Sequence, residues 1–257
     1  MPNAIGQSWL LLRGLSREAA HWGEFLPLLQ SRFPKARIST LDLPGTGQCC
    51  QEISPTSILE TTEAVRKQAL EQGLLNHPLT IVGLSLGGMV CWEWMMKYPE
   101  DICGAALINT SFANLSPFYK RLRWQIYPSF FKLILQANQF QRELAIIQCV
   151  INRRDHDEQT ASEWANIQIK RPVSLSNTLR QISAAACYRP KDIKPKQPVL
   201  LLTGRGDRLV SPACTDAIQQ KWHVPVRHHP WGGHDLPLDD GVWVANRLQE
   251  WVEQLRN

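Results

Sequence analysis

A serine between two glycines, in residues 83–87 (Gly-Leu-Ser-Leu-Gly), has the clearest chemical potential in this sequence. It follows an apolar run that predicts a strand, residues 79–82, and precedes a segment that predicts a helix, residues 88–96. A serine with glycine two positions before and after it, between a strand and a helix, is typical of a nucleophile elbow. Larger flanking side chains would collide in so sharp a turn. We therefore predict that Ser85 is an exposed, strained nucleophile, and an incidental serine in a glycine-rich turn is the alternative.

A serine nucleophile needs a base that removes its proton and an acid that orients the base. After a nucleophile elbow the acid comes first and the histidine second, and both lie in loops at the carboxyl ends of strands. Asp207 follows the predicted strand 198–203 on a glycine turn, whereas the loop after Ile108 offers no carboxylate. Of the seven histidines, only His234 falls in a flexible turn between the last predicted strand and helix. We predict a catalytic triad of Ser85, Asp207 and His234.

Acyl transfer also requires two N–H donors for the oxyanion of the tetrahedral intermediate. The N–H of Leu86, at the start of the predicted helix, is one candidate. The N–H of Leu15, in the glycine turn after the first predicted strand, is the other. Candidates for the substrate pocket are Arg13, Trp22, Phe112 and Trp231, with Phe118 and Trp124 as further aromatic residues. For each aromatic residue, packing in the core or in a lid is the alternative.

Strand patterns alternate with helical patterns over most of the chain. The predicted strands are residues 8–12, 36–41, 79–84, 102–108, 198–203 and 224–228. Besides the helix after Ser85, the predicted helices are residues 22–32, 57–72 and 239–255, the last with apolar residues at a 3.6-residue period. This alternation predicts an α/β fold, with a mostly parallel central sheet covered by helices on both faces.

The alternation stops between residues 112 and 190, where apolar residues recur at helical spacing. This stretch is too long for a loop, so we predict a helical lid inserted between two strands of a core formed by residues 1–111 and 191–257. We call residues 112–190 the insert. It contains eleven Lys and Arg but five Asp and Glu, a net charge of +6 in a chain of net charge +5. Such a surface could attract an acidic carrier protein or an anionic substrate, and a merely solvated basic face is the alternative.

Composition argues against several other classes of protein. The 257 residues suit one large domain, and the seven cysteines are odd in number and form no CxxC pair, which disfavours a disulfide framework or a cysteine zinc site. The histidine spacing fits no metal motif. No apolar stretch approaches the roughly 18–20 residues of a membrane span, and the N-terminus lacks the basic and long apolar regions of a signal peptide. We expect a cytoplasmic protein with no metal, cofactor, nucleic-acid partner or membrane span.

Taken together, the motifs resemble those of the α/β-hydrolase superfamily over essentially the whole chain. Besides the elbow, the matching segments are residues 42–47 (Asp-Leu-Pro-Gly-Thr-Gly), 206–207 (Gly-Asp) and 233–234 (Gly-His). The resemblance implies the α/β-hydrolase fold, the triad and oxyanion-hole residues given above, and a lid formed by the insert. The chain looks most like small bacterial capped serine hydrolases, in particular the pimeloyl-acyl-carrier-protein methyl ester esterase group.

One departure from that family lies after the first predicted strand. The usual His-Gly pair is Arg13-Gly14 here, which keeps the glycine and changes the side chain beside the substrate. Serine rather than aspartate at position 85 argues against a haloalkane dehalogenase.

Three functions are compatible with these residues. The leading hypothesis is a serine hydrolase that cleaves a carboxylic ester or thioester through an acyl-Ser85 intermediate. The alternatives are a lyase of the menaquinone-pathway type, whose triad abstracts a proton, and a binding or sensor protein with little turnover on the same fold. The substrate would be a small ester or acyl compound, free or linked to an acyl carrier protein held by the basic insert.

Overall fold

The computed structural model describes residues 5–126 and 136–256 and contains a six-stranded sheet. Its strands are β1 (Ser8–Leu12), β2 (Arg37–Leu41), β3 (Leu79–Leu84), β4 (Ile102–Ile108), β5 (Val199–Gly204) and β6 (Val226–His229). They lie in the order β2-β1-β3-β4-β5-β6, and every neighbouring pair is parallel. The predicted α/β class with a mostly parallel sheet is confirmed.

Three central strands, β3, β4 and β5, are buried at every position. Strands covered on both faces lack the polar alternation of half-exposed strands, which explains their continuous apolar sequences. Successive side chains point to opposite faces and enter two separate cores. Leu10 and Ile81 belong to the core on one face, and their neighbours Leu11 and Val82 belong to the core on the other.

Helices cover both faces of the sheet, as predicted. The described helices are α1 (Phe25–Arg32), α2 (Ile58–Glu71), α3 (Leu86–Lys97), α4 (Phe118–Arg121), α5 (Gln139–Val150), α6 (Asp157–Lys170), α7 (Leu175–Cys187), α8 (Ala213–Trp222) and α9 (Leu236–Arg256). Trp92 of α3 and Ile218 of α8 pack in the first core. Leu29 of α1 and Leu248 of α9 pack in the second.

Two predicted helices start three residues away from the observed ones. Gly23, at a φ of 43°, separates a short turn of 3₁₀ helix from α1, so that α1 begins at Phe25 rather than at residue 22. Helix α9 begins at Leu236 rather than at residue 239 and is interrupted at Asp240, which has a φ of −151°. Pro237 lies in the first turn of α9, where proline costs no hydrogen bond.

The described part of the insert is helical and includes α4, α5, α6 and α7. Helices α5 and α6 form a small core of their own, from Ile147, Ile151, Ala161 and Trp164, and Leu238 of α9 packs against it. Residues 127–135 of the insert lie outside the described residues. The role of the insert as a lid stays a prediction. None of the described helices combines the length and apolarity needed to cross a bilayer.

Because the strands are parallel, their carboxyl ends share one edge of the sheet. The register pairs Leu12 with Gly83, Leu84 with Ile108, and Ile108 with Leu202. The loops after β1, β3, β5 and β6 therefore begin at this edge. Open parallel sheets place their ligands there.

Candidate active site

Ser85 lies between β3 and α3 with the backbone conformation that the motif predicted. Its φ of 57° and ψ of −116° are unusual for a residue with a side chain. The Ser85 N–H donates to Ile108 O at 2.8 Å, and the Thr110 hydroxyl donates to Ser85 O at 2.8 Å. In the run Leu79–Trp92, every residue except Ser85 is buried. The chain thus holds this serine firmly while leaving it accessible.

The two glycines of the motif are required by close backbone contacts. A Cβ atom on Gly83 would lie 2.4 Å from Gly87 O, and one on Gly87 would lie 2.5 Å from Leu12 O. Neither distance is compatible with a side chain. The turn therefore depends on these glycines for space, as the sequence pattern indicated.

Asp207 and His234 are joined by a hydrogen bond. His234 Nδ1 lies 2.7 Å from Asp207 Oδ2, and both side chains are buried. The other carboxylate oxygen, Asp207 Oδ1, accepts from the N–H groups of Leu209 and Val210 at 2.8 and 2.9 Å. With Nδ1 donating to the carboxylate, Nε2 of the neutral ring is free to accept a proton.

Asn109 links the loop of His234 to the end of β5, and its role was not predicted. It follows β4 at a φ of 49°. Its Nδ2 donates to Gly233 O at 3.0 Å and to His234 O at 2.8 Å, while its Oδ1 accepts from Gly204 N at 3.0 Å. In the described residues no hydrogen bond joins the Ser85 hydroxyl to the His234 ring. Such catalytic bonds are often long in unliganded enzymes.

Both predicted oxyanion donors lie in turns beside Ser85. Leu86 is the first residue of α3, where helix N–H groups lack intrahelical partners. A Cβ atom on Gly14 would lie 3.1 Å from Ser85 Cβ, so the Gly14–Leu15 backbone passes close to the serine. Among the described residues neither the Leu86 N–H nor the Leu15 N–H has an acceptor. Both N–H groups are available to an oxyanion.

The four predicted pocket residues differ greatly in exposure. Arg13 is 2% exposed, forms a bidentate ion pair with Asp235 and lies over the Trp22 ring at 4.9 Å. Trp22 is also buried, and Phe112 is fully buried against Trp92, Tyr188 and Trp222. Trp231 is 41% exposed, and of the four only its side chain has a large accessible surface.

A cavity of about 730 Å³ lies beside the loop that carries Asp207. Its charged lining residues are Arg123, Arg154, Asp157 and Arg208, and Arg123 Nη1 donates to Asp207 O at 2.8 Å. The rest of the lining consists of Gln125, Ile126, Ala145, Gln148 and Cys149. The candidate triad contributes no side chain to this lining, so the cavity is adjacent to these three residues rather than around them.

Comparison with solved structures shows the same fold in several enzymes. An esterase from Thermogutta terrifontis is 18% identical, with a TM-score of 0.73, and the match covers 97% of this chain and 90% of that one. An esterase from Rhodococcus sp. ECU1013 is 16% identical, with a TM-score of 0.74 and coverage of 98% and 92%. BpoC from Mycobacterium tuberculosis H37Rv, provisionally assigned as a non-heme bromoperoxidase, is 18% identical, with a TM-score of 0.74 and coverage of 99% and 95%.

Comparison of sequences gives a family but no close relative. No functionally curated protein matches this chain significantly. The sequence model of the Alpha/beta hydrolase family matches residues 9–247, which include every candidate catalytic residue described above. This chain therefore belongs to the Alpha/beta hydrolase family.

Proposed function

We propose that this protein is a serine hydrolase that cleaves carboxylic esters through an acyl-Ser85 intermediate. The observation that carries the proposal is the buried Asp207–His234 hydrogen bond of 2.7 Å at the same sheet edge as a strained, accessible serine. Family membership and the esterases among the structural neighbours support a hydrolase.

In the proposed reaction, His234 Nε2 takes the proton of the Ser85 hydroxyl as Oγ attacks the ester carbonyl carbon. The N–H groups of Leu15 and Leu86 stabilise the oxyanion that forms. As the carbon–oxygen bond to the alcohol breaks, His234 returns the proton to the departing alcohol. Water then attacks the acyl-serine with the same proton transfers, which releases the acid and restores Ser85. Asp207 keeps the ring oriented and stabilises the imidazolium.

The contacts of the insert favour a free ester over a carrier-linked one as substrate. Several arginines that give the insert its positive charge bind other parts of the protein. Arg171 pairs with Glu18, Arg180 donates to Ser54 O, and Arg123 donates to Asp207 O. Only Arg171 is neutralised by an acid, whereas Arg180 and Arg123 keep their charge but are held by internal hydrogen bonds, so fewer guanidinium groups of the insert are free to pair with the carboxylates of a carrier. We therefore propose a small free ester as substrate, and carrier recognition remains the more specialised alternative.

Labelling with a fluorophosphonate probe tests the proposed nucleophile. The probe should modify Ser85 in the folded protein, and Ser85→Ala should abolish this labelling. Ser85→Ala should also lower kcat on p-nitrophenyl esters by at least about 1,000-fold. Ser57→Ala is the matched control, since Ser57 caps α2 on the surface and should leave labelling and kcat unchanged. Methyl esters of increasing chain length, free and carrier-linked, complete the substrate panel.

Different outcomes separate the hypotheses. Ester turnover that survives Ser85→Ala contradicts the proposal. Detection of an acyl-Ser85 adduct on the substrate that is turned over, by intact-mass measurement, contradicts the lyase. A folded protein that binds esters but turns none over favours the sensor.

A further inference from the structure

The chain just beyond helix α5, in the insert, contacts both loops that carry the candidate acid and base. Asn152 lies in this segment, and its Nδ2 donates to two backbone carbonyl oxygens. One belongs to Gly206, next to Asp207, at 3.0 Å. The other belongs to Trp231, in the loop of His234, at 2.6 Å. A single amide group of the insert therefore joins the two loops.

Asp239 of α9 holds the same segment from the core. Its carboxylate is fully buried, and its Oδ1 accepts from the N–H groups of Asn152 and Arg153, both at 2.8 Å. Its Oδ2 accepts from the N–H of Gly233, beside the candidate base. Burial raises the pKa of Asp239, while the N–H donors that it accepts act in the opposite direction. The backbone of Asn152 is thus fixed to the residue before His234.

The contact between Asn152 and the two loops leaves no space for a side chain on Gly206. A Cβ atom on Gly206 would lie 2.1 Å from Trp231 O and 2.3 Å from Asn152 Nδ2. Gly206 N also donates to Gly232 O at 3.0 Å, so the two loops touch directly as well as through Asn152. In packing this close, a displacement at one contact is transmitted to its neighbours.

We propose that Asn152 is a positioning residue that sets the geometry of the Asp207–His234 pair from the insert. The Asp207–His234 hydrogen bond spans two loops that leave different strands, so its length depends on the separation of those loops. Without the Asn152 amide, two carbonyl groups lose their donor and the loops can separate. Small displacements of catalytic groups cost large factors in rate. This inference rests on the proposed function, in which that pair acts on Ser85.

The consequence is that the insert takes part in catalysis through its contacts with the core. Asn152 adjoins α5, which contributes Gln148 and Cys149 to the cavity beside Asp207. A change in the packing of α5 would therefore reach the acid and base loops through the Asn152 amide, without any contact between the insert and Ser85.

The experiment compares Asn152→Ala with Asn114→Ala. Asn114 is an exposed asparagine of the insert whose Nδ2 donates to the carbonyl of Pro190 and not to either loop, so its variant is the matched control. Asn152→Ala should lower kcat by about 10- to 100-fold, as for other residues that orient a catalytic group. KM should stay unchanged because Asn152 does not touch substrate in this proposal. Asn114→Ala should leave both constants at the wild-type value.

Proton magnetic resonance reports on the Asp207–His234 hydrogen bond without any substrate. The far-downfield proton resonance of a histidine Nδ1–H bonded to a carboxylate should be present in the wild type and in Asn114→Ala, and it should broaden or disappear in Asn152→Ala. If the wild type turns over no ester, the proposed function fails while this resonance still tests the inference.

Wild-type kcat together with an undiminished resonance in folded Asn152→Ala would overturn the inference. An equal loss in Asn114→Ala would also overturn it, because the effect would then be general destabilisation. If Asn152→Ala does not fold, Asn152→Asp replaces it in the test, because aspartate and asparagine have nearly the same volume. Its carboxylate cannot donate to the two carbonyl oxygens, so kcat and the resonance should fall at least as far as in Asn152→Ala.

Discussion

The ion pair of Arg13 and Asp235 lies one residue from His234 and joins the loop after β1 to the loop after β6. Both side chains are buried, at 2% and 4% exposure. The Asp235 N–H also donates to Val150 O at 2.9 Å. A buried ion pair adds little stability compared with apolar residues of the same volume, whereas the loss of one partner leaves an uncompensated charge. The arginine that replaces the family's usual histidine therefore has a structural partner.

We predict that Arg13→Met destabilises the protein by about 3–5 kcal/mol, because Asp235 is left buried and unpaired. The double variant Arg13→Met with Asp235→Leu should recover most of this loss. Urea unfolding at neutral pH measures both free energies. Lys67→Met, which removes an exposed ion pair with Glu71, is the control and should change stability little. Equal losses in the single and the double variant would contradict the prediction.

The sequence predicted the residues of the site whose signal is local. Ser85 has glycines at fixed positions around it, and Asp207 and His234 each follow a strand on a glycine turn. Their assignment as a triad stays a prediction, although Asp207 and His234 are hydrogen-bonded. Asn109 and Asn152 could not be identified in this way, because their partners lie far along the chain.

At the scale of elements, two glycines at the end of β5 allow the loops of Asp207 and His234 to touch. Besides the contacts of Gly206, a Cβ atom on Gly204 would lie 2.1 Å from Gly232 O. The two loops, each of which carries one candidate catalytic group, can pack backbone to backbone only because these glycine positions have no side chain. The sequence predicted that these glycines are turn residues, whereas the structure shows that they provide space for the neighbouring loop.

We predict that Gly206→Ala lowers both stability and turnover. The added Cβ would collide with the Trp231 carbonyl, and such overpacking costs about 1–3 kcal/mol. Because the collision pushes the two loops apart, kcat should fall as in Asn152→Ala. Thermal unfolding and ester hydrolysis measure the two effects.

Gly73→Ala is the control for Gly206→Ala. Gly73 has a φ of 63° and only Asn76 Nδ2, at 3.7 Å, near an added Cβ. It should cost about 1–2 kcal/mol through backbone strain alone, with unchanged kcat. Unchanged kcat in Gly206→Ala would show that the two loops do not depend on their close contact.

The strand patterns predicted β1, β3 and β4 with the observed bounds, because each is a short apolar run between clear turns. Strand β6 begins at Val226 rather than at residue 224, since Pro225 lacks the N–H of a regular strand residue. Strand order could not be predicted, because it depends on which strands pair in space.

At the scale of the whole molecule, the insert and the core meet around a buried histidine. The His21 ring packs edge-on against Trp164 of the insert, with ring centroids 4.9 Å apart. Its Nδ1 accepts from the Glu18 N–H at 3.1 Å. Burial lowers the pKa of His21 well below its usual value, and the positive charges of Arg17, Arg13 and Arg171 lower it further. The folded protein therefore holds this imidazole neutral.

We predict that the free energy of unfolding falls as the pH drops below about 6.5, the ordinary histidine pKa. In this range the unfolded chain binds a proton at His21 that the folded chain does not bind, so acid favours unfolding. The slope from one such group is at most about 1.4 kcal/mol per pH unit. Urea unfolding at pH 7.5 and 5.5 measures it.

His21→Asn is the matched variant for this pH dependence, because its Oδ1 can still accept from the Glu18 N–H. It should lose less stability than the wild type between pH 7.5 and 5.5. The variant leaves a space that lowers stability at both pH values alike, so only the difference between them is diagnostic. Identical differences in the two proteins would show that His21 is not the responsible group.

The backbone contacts of Ser85 have a consequence for the order in which the parts of the candidate site are synthesised. The glycine turn that holds this serine needs only strands from the first half of the chain, together with Ile108 and Thr110. The loop of His234 is synthesised after these segments and is anchored by Arg13, Asn109 and Asn152. A nascent chain can therefore contain every partner of the serine turn while it still lacks the proposed base. If the proposed function holds, hydrolysis recovered on refolding reports the docking of the His234 loop rather than the formation of the serine turn.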